Sequence, residues 1–327
     1  MPHMPGASLG CLTVSSDRPF AQRLAHALDS PCTEAILTHF PDGEMDVQWP
    51  PGSIPQTAVL AVSLAATEST SLHDRLMQVI FGLHQLKTAG VTRCIGVMPY
   101  LGYARSDTKT TPTDLLGLRV VAQHLHQAGL SGVLTVDVHT PAALHNAFPG
   151  PTWSVNPVPA MAADLRSHLP PEAPLAVCAP DVGAWKRAQA WAKALATPER
   201  ESIELAMVHK QRIRPDKVTQ DAFTGRVEGR TVIVVDDMIS TGGTMAQAVR
   251  TCYEHGAHAV WAAATHGLLV DPAPVRLAEV GIKGVLVANT IPEDRVADTP
   301  LAERLHVVDV APTCAEQLDA VLPTGVL

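Results

Sequence analysis

Two adjacent carboxylates and a glycine-rich turn are the residues of this sequence best suited to chemistry. Asp236 and Asp237 directly follow Val232–Val235, an apolar, β-branched run that predicts a strand buried on both faces of a parallel sheet. In Thr241–Thr244, the two glycines allow backbone N–H groups to approach an anion closely, and the threonines add hydroxyl donors. A helical pattern over Met245–His255 follows, so the turn would lie at a helix N-terminus, where phosphate binds well.

Carboxylates beside an anion cradle favour a ligand that also carries hydroxyl groups or recruits a divalent cation. Ribose 5-phosphate carries the first and could recruit the second. This combination resembles the signature of proteins that bind phosphoribosyl diphosphate, and by itself it does not separate the transferases that consume this compound from the synthetase that makes it. An ordinary turn after a solvated strand end is the structural alternative.

Strands and helices alternate along the chain, which predicts an α/β fold of two similar doubly wound domains with mainly parallel sheets. In each half an apolar strand ends in an aspartate, at Val133–Asp137 and at Val232–Asp236. We predict an N-terminal domain over residues 8–156 and a C-terminal domain over 157–308, with a last helix within 309–327 that could pack on the first domain. The other predicted strands include Cys11–Ser15, the hairpin Ala35–His39 and Met45–Trp49, Ala58–Val62, Arg93–Met98, Leu175–Ala179 and Ile203–Val208, and the predicted helices include Arg18–Leu28 with Asp17 as N-cap, Ser71–Ala89, Leu115–Ala128 and Ala184–Leu195.

Composition excludes several classes of protein. The 327 residues are 46% hydrophobic and 17% charged, which suits globular domains with ample core. A net charge of −8 argues against a broad nucleic-acid surface. No apolar run is long enough to span a membrane, and the six cysteines are scattered without a C-x-x-C pair, so we expect no membrane association and a reducing cytoplasm.

Five further segments place charged or aromatic residues at predicted strand ends or turns, ahead of the acidic pair. In chain order these segments are His39–Glu44, with a strong D-G turn signal; Met98–Asp107, with an arginine and an aspartate; Val136–His139, with an imidazole; Ala179–Gly183, with an aspartate; and Val208–Pro215, with a basic run.

In this order, ahead of Val234–Thr244, the five segments resemble the ribose-phosphate diphosphokinase family, also called phosphoribosyl diphosphate synthetases. The resemblance covers essentially the whole chain, including Ala264–Gly267 and Asn289–Pro292. It implies phosphoribosyltransferase-like (type I) topology in both domains. It also implies Mg²⁺-dependent transfer of the diphosphoryl group of ATP to the 1-hydroxyl of ribose 5-phosphate, with release of AMP.

The resemblance also implies a role for each candidate residue. It further implies a homo-oligomer, a dimer-built hexamer or smaller, in which the nucleotide site is shared between subunits. The implied residues are Lys210 and Arg212 for catalysis; His139 and Asp181 for the metal; Phe40, Asp42, Glu44, Arg105, Ser106 and Asp107 for the nucleotide; and Asp236, Asp237, Ser240, Thr241, Gly242, Gly243 and Thr244 for ribose 5-phosphate.

The chain departs from the family pattern at several of these positions. Ser106 stands where glutamine is common, Ser240 where aspartate is common and Ala184 where glycine is common, and threonines replace usually charged residues at Thr108, Thr110 and Thr113. Two alternative functions follow. One is a non-catalytic regulatory homologue, which should have lost the basic pair that this chain keeps, and the other is a related diphosphokinase with an altered nucleotide or sugar phosphate.

Overall fold

A computed structural model describes residues 9–14, 18–198, 202–211, 220–292 and 296–322. The chain forms two compact units. The second unit comprises Pro157–Asn289 and Glu293–Asp309, and the first comprises Met1–Asn156, Thr290–Pro292 and Val310–Leu327. The chain therefore leaves the first unit after Asn156 and returns to it twice.

The first unit contains a six-stranded sheet and a separate hairpin. Its strands are β1 (Leu9–Thr13), β2 (Cys32–Glu34), β3 (Ile36–His39), β4 (Met45–Gln48), β5 (Thr57–Ala61), β6 (Arg93–Met98), β7 (Gly132–Val136) and β8 (Thr152–Val155). The sheet has the order β2-β1-β5-β6-β7-β8 with parallel pairing throughout, whereas β3 and β4 pair antiparallel. Strands β1, β5 and β7 are buried along their whole length, as expected of apolar strands covered on both faces.

The helices of the first unit follow its strands in an alternating pattern. They are α1 (Arg18–Ala27), α2 (Leu72–Thr88), α3 (Gly117–Ala128), α4 (Pro141–Ala147) and, from the far end of the chain, α9 (Ala311–Val321). Helix α2 begins where the Ser71 hydroxyl accepts a hydrogen bond from the Asp74 N–H at 3.1 Å, which satisfies an otherwise unpaired donor of its first turn. Helix α9 packs on α1.

The second unit is built on a seven-stranded sheet. Its strands are β9 (Leu175–Ala179), β10 (Glu204–Gln211), β11 (Gln220–Thr224), β12 (Thr231–Ile239), β13 (Ala259–Gly267), β14 (Gly284–Ala288) and β15 (Leu305–Val308), and its helices are α5 (Val158–His168), α6 (Trp185–Leu195), α7 (Gly243–Glu254) and α8 (Ala273–Glu279). The order is β11-β10-β9-β12-β13-β14-β15, and only β11 runs antiparallel to its neighbour among these strands. None of the helices in the described ranges is long and apolar enough to cross a lipid bilayer.

The strand order of the second unit reverses between β9 and β12. From β9 the chain continues outward to β10 and β11, and then returns to place β12 on the other side of β9. Open α/β sheets bind ligands at the carboxyl ends of the two strands that flank such a reversal, because the following loops diverge there and leave a crevice. Asp181 follows β9, and the acidic pair lies in the last part of β12.

The predicted α/β class with mainly parallel sheets is confirmed, and so is the hairpin of β3 and β4. The predicted strand Val232–Val235 is too short. Strand β12 continues to Ile239 and pairs with β13 over that extension. The short elements β2, α4, β8, β11 and α8 were not predicted. The predicted N-cap Asp17 lies outside the described residues.

Candidate active site

The acidic pair lies within strand β12 rather than after it. Successive side chains of a strand point to opposite faces, so the two carboxylates have different surroundings. Asp237 is buried, with 7% of its surface exposed, whereas Asp236 is half-buried. The Asp237 N–H donates a hydrogen bond of 2.9 Å to Oδ1 of Asp236, which helps to fix the orientation of the first carboxylate.

Burial raises the pKa of the Asp236 carboxyl group to about 7, and the negative charges of Asp237 and Asp181 act in the same direction. Three carboxylates from two adjacent strand ends therefore interact electrostatically in the second unit. A divalent cation would relieve this repulsion, and an all-oxygen donor set is the kind that Mg²⁺ prefers. Within the described parts of the chain, no group of three or more His, Cys, Asp or Glu side chains forms a preorganised metal centre.

The glycine-rich turn is shaped by close packing as well as by its conformation. Gly242 has φ of +71° and precedes the first residue of α7. A Cβ atom at this position would lie 3.2 Å from both Cα and Cβ of Ala273 in α8, so glycine is required by the backbone conformation and by the neighbouring helix. Gly243 and Thr244 are exposed at the start of α7, where backbone N–H groups remain available to an anion.

Arg276 of α8 supports the turn and was not identified from the sequence. Its Nη1 donates a hydrogen bond of 2.8 Å to the carbonyl oxygen of Thr241. A Cβ atom built on Gly243 would lie 3.5 Å from the same nitrogen, so the guanidinium group runs alongside the turn. The arginine therefore adds positive charge next to the proposed phosphate position and restrains the loop that would form it.

A cavity of about 620 Å³ opens beside the turn within the second unit. Its polar wall includes Asp181, His209, Thr244 and Gln247, and its apolar wall includes Val182 and Val208. The cavity thus brings together the loop after β9, the end of β10 and the start of α7. A small polar ligand would fit a space of this size.

The two predicted catalytic residues are only partly described. The backbone of Lys210 lies in β10, opposite Asp221 of β11, so this strand continues beyond its predicted end at Val208. The antiparallel pairing of β10 with β11 accounts for this extension. Arg212 lies outside the described residues.

The two predicted metal-associated residues belong to different units. Oδ1 of Asp181 accepts a hydrogen bond of 3.1 Å from the Ala184 N–H, just before α6. This contact orders the turn between β9 and α6 and holds the carboxylate at the exposed end of β9. His139 is exposed in the first unit, shortly after β7.

The predicted adenine-binding residues occupy the turn of the β3–β4 hairpin. The Phe40 N–H donates to the Glu44 carbonyl oxygen at 2.9 Å, and the Gly43 N–H donates to the Phe40 carbonyl oxygen at 3.0 Å. Oδ1 of Asp42 accepts from the Glu44 N–H at 3.1 Å. These bonds fix the turn while 46% of the Phe40 surface remains exposed. An exposed aromatic ring on an ordered turn is suited to stacking on a base.

The second predicted nucleotide segment contains exposed Arg105 and half-buried Asp107. Between them, the Ser106 hydroxyl donates to the Leu115 carbonyl oxygen at 2.9 Å and accepts from the Gly117 N–H at 3.0 Å. Ser106 therefore joins this segment to the start of α3, which gives the departure from glutamine a structural role.

The threonines of this segment also have a structural use. Oδ2 of Asp114 accepts hydrogen bonds from the Thr110 hydroxyl at 2.5 Å and from the backbone N–H groups of Thr110 and Thr111 at 2.8 Å. These bonds hold the pKa of Asp114 well below its usual range. An acidic side chain therefore organises the turn that the resemblance associates with nucleotide phosphates.

Replacing Asp236 with asparagine tests whether burial and repulsion from neighbouring carboxylates raise the pKa of Asp236. The folded chain keeps a proton on Asp236 up to about pH 7, whereas an unfolded chain loses it near pH ~4. The folded state thus binds more protons in this interval, and its free energy of unfolding falls as pH rises. In Asp236→Asn we expect a higher melting temperature than in the wild type at pH 8, equivalent to about 2–4 kcal/mol, and little difference at pH 4.

Thermal unfolding in metal-free buffer at the two pH values measures this effect. Asp319→Asn, which changes an exposed carboxylate of α9, is the matched control and should shift neither value. A gain for Asp236→Asn that is the same at both pH values would contradict the assigned cause.

Two family models match the chain. The first, the N-terminal domain of ribose phosphate pyrophosphokinase, matches residues 9–129. The second, a phosphoribosyl synthetase-associated domain, matches residues 197–322. Each compact unit is therefore matched over part of its length.

Curated relatives match nearly the whole chain. A ribose-phosphate pyrophosphokinase of Mycobacterium bovis is 33% identical over 307 residues, which are 93% of this chain and 90% of the relative. One of Caulobacter vibrioides is 33% identical over 309 residues, covering 94% and 95% of the two chains. The crystal structure of phosphoribosylpyrophosphate synthetase from Mycobacterium smegmatis superposes with a TM-score of 0.83 at 32% identity and covers 96% of this chain and 98% of that one. The resemblance and the predicted fold class are therefore confirmed, and the chain belongs to the ribose-phosphate pyrophosphokinase family.

Proposed function

We propose that this protein transfers the diphosphoryl group of ATP to the 1-hydroxyl of ribose 5-phosphate, giving 5-phosphoribosyl 1-diphosphate and AMP. The observation that carries the proposal is the arrangement at the β9–β12 reversal, where an acidic pair adjoins a glycine-rich helix start supported by Arg276. Membership of the family over nearly the full length agrees with it.

The second unit would bind the sugar phosphate. Exposed N–H groups at the start of α7 suit the 5-phosphate, because a helix N-terminus and a nearby guanidinium group both favour an anion. The carboxylates of Asp236 and Asp237 suit the ribose hydroxyls, which donate hydrogen bonds to ionised oxygens. Ser240 and Thr241 would add hydroxyl groups at the same turn.

The first unit would bind ATP. Phe40 offers an exposed ring for stacking on adenine, and Asp42 and Glu44 offer acceptors for its exocyclic amine. Arg105 is exposed and its flat guanidinium group suits the π face of a base. Asp107 would assist on the same segment.

The chemical step joins the 1-oxygen of the sugar to the β-phosphorus and breaks the bond between that phosphorus and the oxygen that leaves with AMP. Such a reaction depends on positioning and on stabilisation of charge that develops on non-bridging oxygens. Lys210 and Arg212 would supply positive charge to these oxygens. Mg²⁺, held through Asp181 with His139 as a second candidate, would add charge of the same sign when bound. Asp236 and Asp237 would hold the acceptor sugar in place.

We also propose that the protein is a homo-oligomer in which a neighbouring copy completes the nucleotide site. An apolar groove of about 540 Å³ in the first unit, lined by β4, α2 and α3, leaves Phe81 38% exposed. Aromatic side chains of this kind are enriched in protein interfaces. Light scattering should then give a mass at least twice that of one 34.7 kDa chain.

Phosphorus NMR tests the activity directly. Purified protein with ATP, Mg²⁺ and ribose 5-phosphate should form AMP and phosphoribosyl diphosphate in equal amounts. Product formed only with another nucleotide would favour a diphosphokinase with altered specificity. No product from folded protein that still binds ribose 5-phosphate would refute the enzyme proposal and favour a regulatory homologue.

Lys210→Ala separates catalysis from binding. If Lys210 contacts mainly the transition state, kcat should fall by about a hundred- to a thousand-fold, while the Kd for ribose 5-phosphate changes by less than about two-fold. Steady-state kinetics and calorimetric titration of the sugar phosphate measure the two quantities. A loss of binding as large as the loss of turnover would refute this role.

Arg276→Gln tests the support of the phosphate turn. Loss of a charged hydrogen bond to the Thr241 carbonyl oxygen should raise KM for ribose 5-phosphate by about ten- to a hundred-fold and leave KM for ATP nearly unchanged. Arg250→Gln, which changes an exposed arginine of α7, is the matched control. Equal increases of both KM values in Arg276→Gln would indicate a general loss of structure instead.

A further inference from the structure

Two pairs of cysteines lie side by side in this fold. Cys11 of β1 and Cys32 of β2 are directly opposite each other on neighbouring parallel strands. The thiol of Cys178 in β9 raises the pKa of Cys252 in α7, so these two thiols are also close together. All four are free thiols. The reactivity of the two pairs toward an oxidant can therefore be compared within one chain.

The pairs differ in their access to solvent. Strand β2 is the edge of its sheet, and Cys32 on it is half-buried, whereas its partner Cys11 is fully buried. Cys178 and Cys252 are both fully buried. A reagent in solution can therefore reach one thiol of the first pair and neither thiol of the second.

The surroundings of Cys32 also favour its thiolate. The neighbouring Cys11 thiol lowers the pKa of Cys32, and the charge of Arg18 acts in the same direction, against the opposing effects of burial and of the Glu34 charge. The Cys32 thiol and burial in turn raise the pKa of Cys11. In the other pair, the Cys178 thiol and burial raise the pKa of Cys252 far above its ordinary value. Redox-sensitive cysteines combine thiolate character, access and a neighbouring second thiol.

We propose that Cys32 and Cys11 form a reversible disulfide in response to hydroperoxides, with Cys32 as the attacking thiol and Cys11 as the resolving one. The proposal is independent of the activity assigned above. It assigns a modification site to the edge of the first sheet.

The reaction balances in two steps. The Cys32 thiolate attacks one oxygen of hydrogen peroxide, the O–O bond breaks, and with one proton the products are a sulfenic acid on Cys32 and water. The Cys11 thiol then attacks the sulfenic sulfur, the S–S bond forms and a second water leaves. The two thiols are oxidised by two electrons in total and the peroxide is reduced. A small thiol such as glutathione would restore the pair by thiol–disulfide exchange.

Strand spacing permits this bond. Neighbouring strands lie about 4.7–4.9 Å apart, and disulfides join Cα atoms that are about 4.4–6.8 Å apart. Directly opposite residues on parallel strands present their side chains to the same face, here toward α1, where Sγ of Cys11 lies 3.5 Å from the Ala21 carbonyl oxygen. The backbone spacing at this position therefore lies within the range that a disulfide joins.

Peptide mapping of the peroxide-treated full chain tests the proposal. Trypsin cleaves after Arg23, so Cys11 and Cys32 fall on different peptides. Without reductant we expect these peptides to be joined, with a mass two hydrogens below their sum, and to separate after glutathione is added. The free thiols should fall from six to four per chain. The Cys178–Cys252 pair is the internal control and should oxidise at least about ten-fold more slowly.

Two variants assign the roles of the thiols. In Cys11→Ser the sulfenic acid on Cys32 cannot be resolved, so a dimedone adduct should accumulate on Cys32. In Cys32→Ser, a change at a sheet edge, peroxide should leave Cys11 reduced. Six free thiols in the treated wild type, or equal oxidation of the two pairs, would overturn the proposal. The wild-type map decides the matter even if Cys11→Ser does not fold.

Discussion

The pairing of β9 with β12 is the constraint on which the second unit depends. It places two strands that are far apart in sequence side by side in the sheet, and the order of the sheet reverses between them. All of β9 and the stretch Thr231–Val235 of β12 are buried, so the register of these strands has little freedom. Asp181 and Asp236 are thereby held close enough to repel each other. Burial of the strand interiors thus stabilises the unit enough to hold mutually repelling carboxylates at the strand ends.

The same unit also carries positive charge that can balance these carboxylates. The N-terminus of α7 carries partial positive charge, and Arg276 adds a full charge beside the same turn. A ligand with a phosphate at one end and hydroxyl groups at the other would be complementary to both regions. A substitution in either region would change this separation of charge. A substitution there that raises the free energy of unfolding can therefore weaken ligand binding.

The sequence was most informative where several signals coincided. The buried strand, the acidic pair and the glycine-rich turn were recognisable because apolar, acidic and glycine residues followed one another within a short segment. Arg276 was missed because it lies far along the chain from Thr241 and only tertiary packing brings them together. The short elements β2, α4 and β11 gave weak patterns, since their length allows little periodicity. The extension of β10 through Lys210 depends on pairing with β11, which no local pattern reports.

The contact between α1 and α9 has a consequence for the order in which the protein is made. These two helices belong to the same unit, although nearly the whole chain separates them in sequence. During synthesis, the segment Pro157–Asn289 leaves the ribosome before α9 exists. The first unit can therefore complete its core only after α9 has been made, whereas most of the second unit is available earlier. Loss of α9 would leave part of α1 uncovered, although α1 is made long before α9.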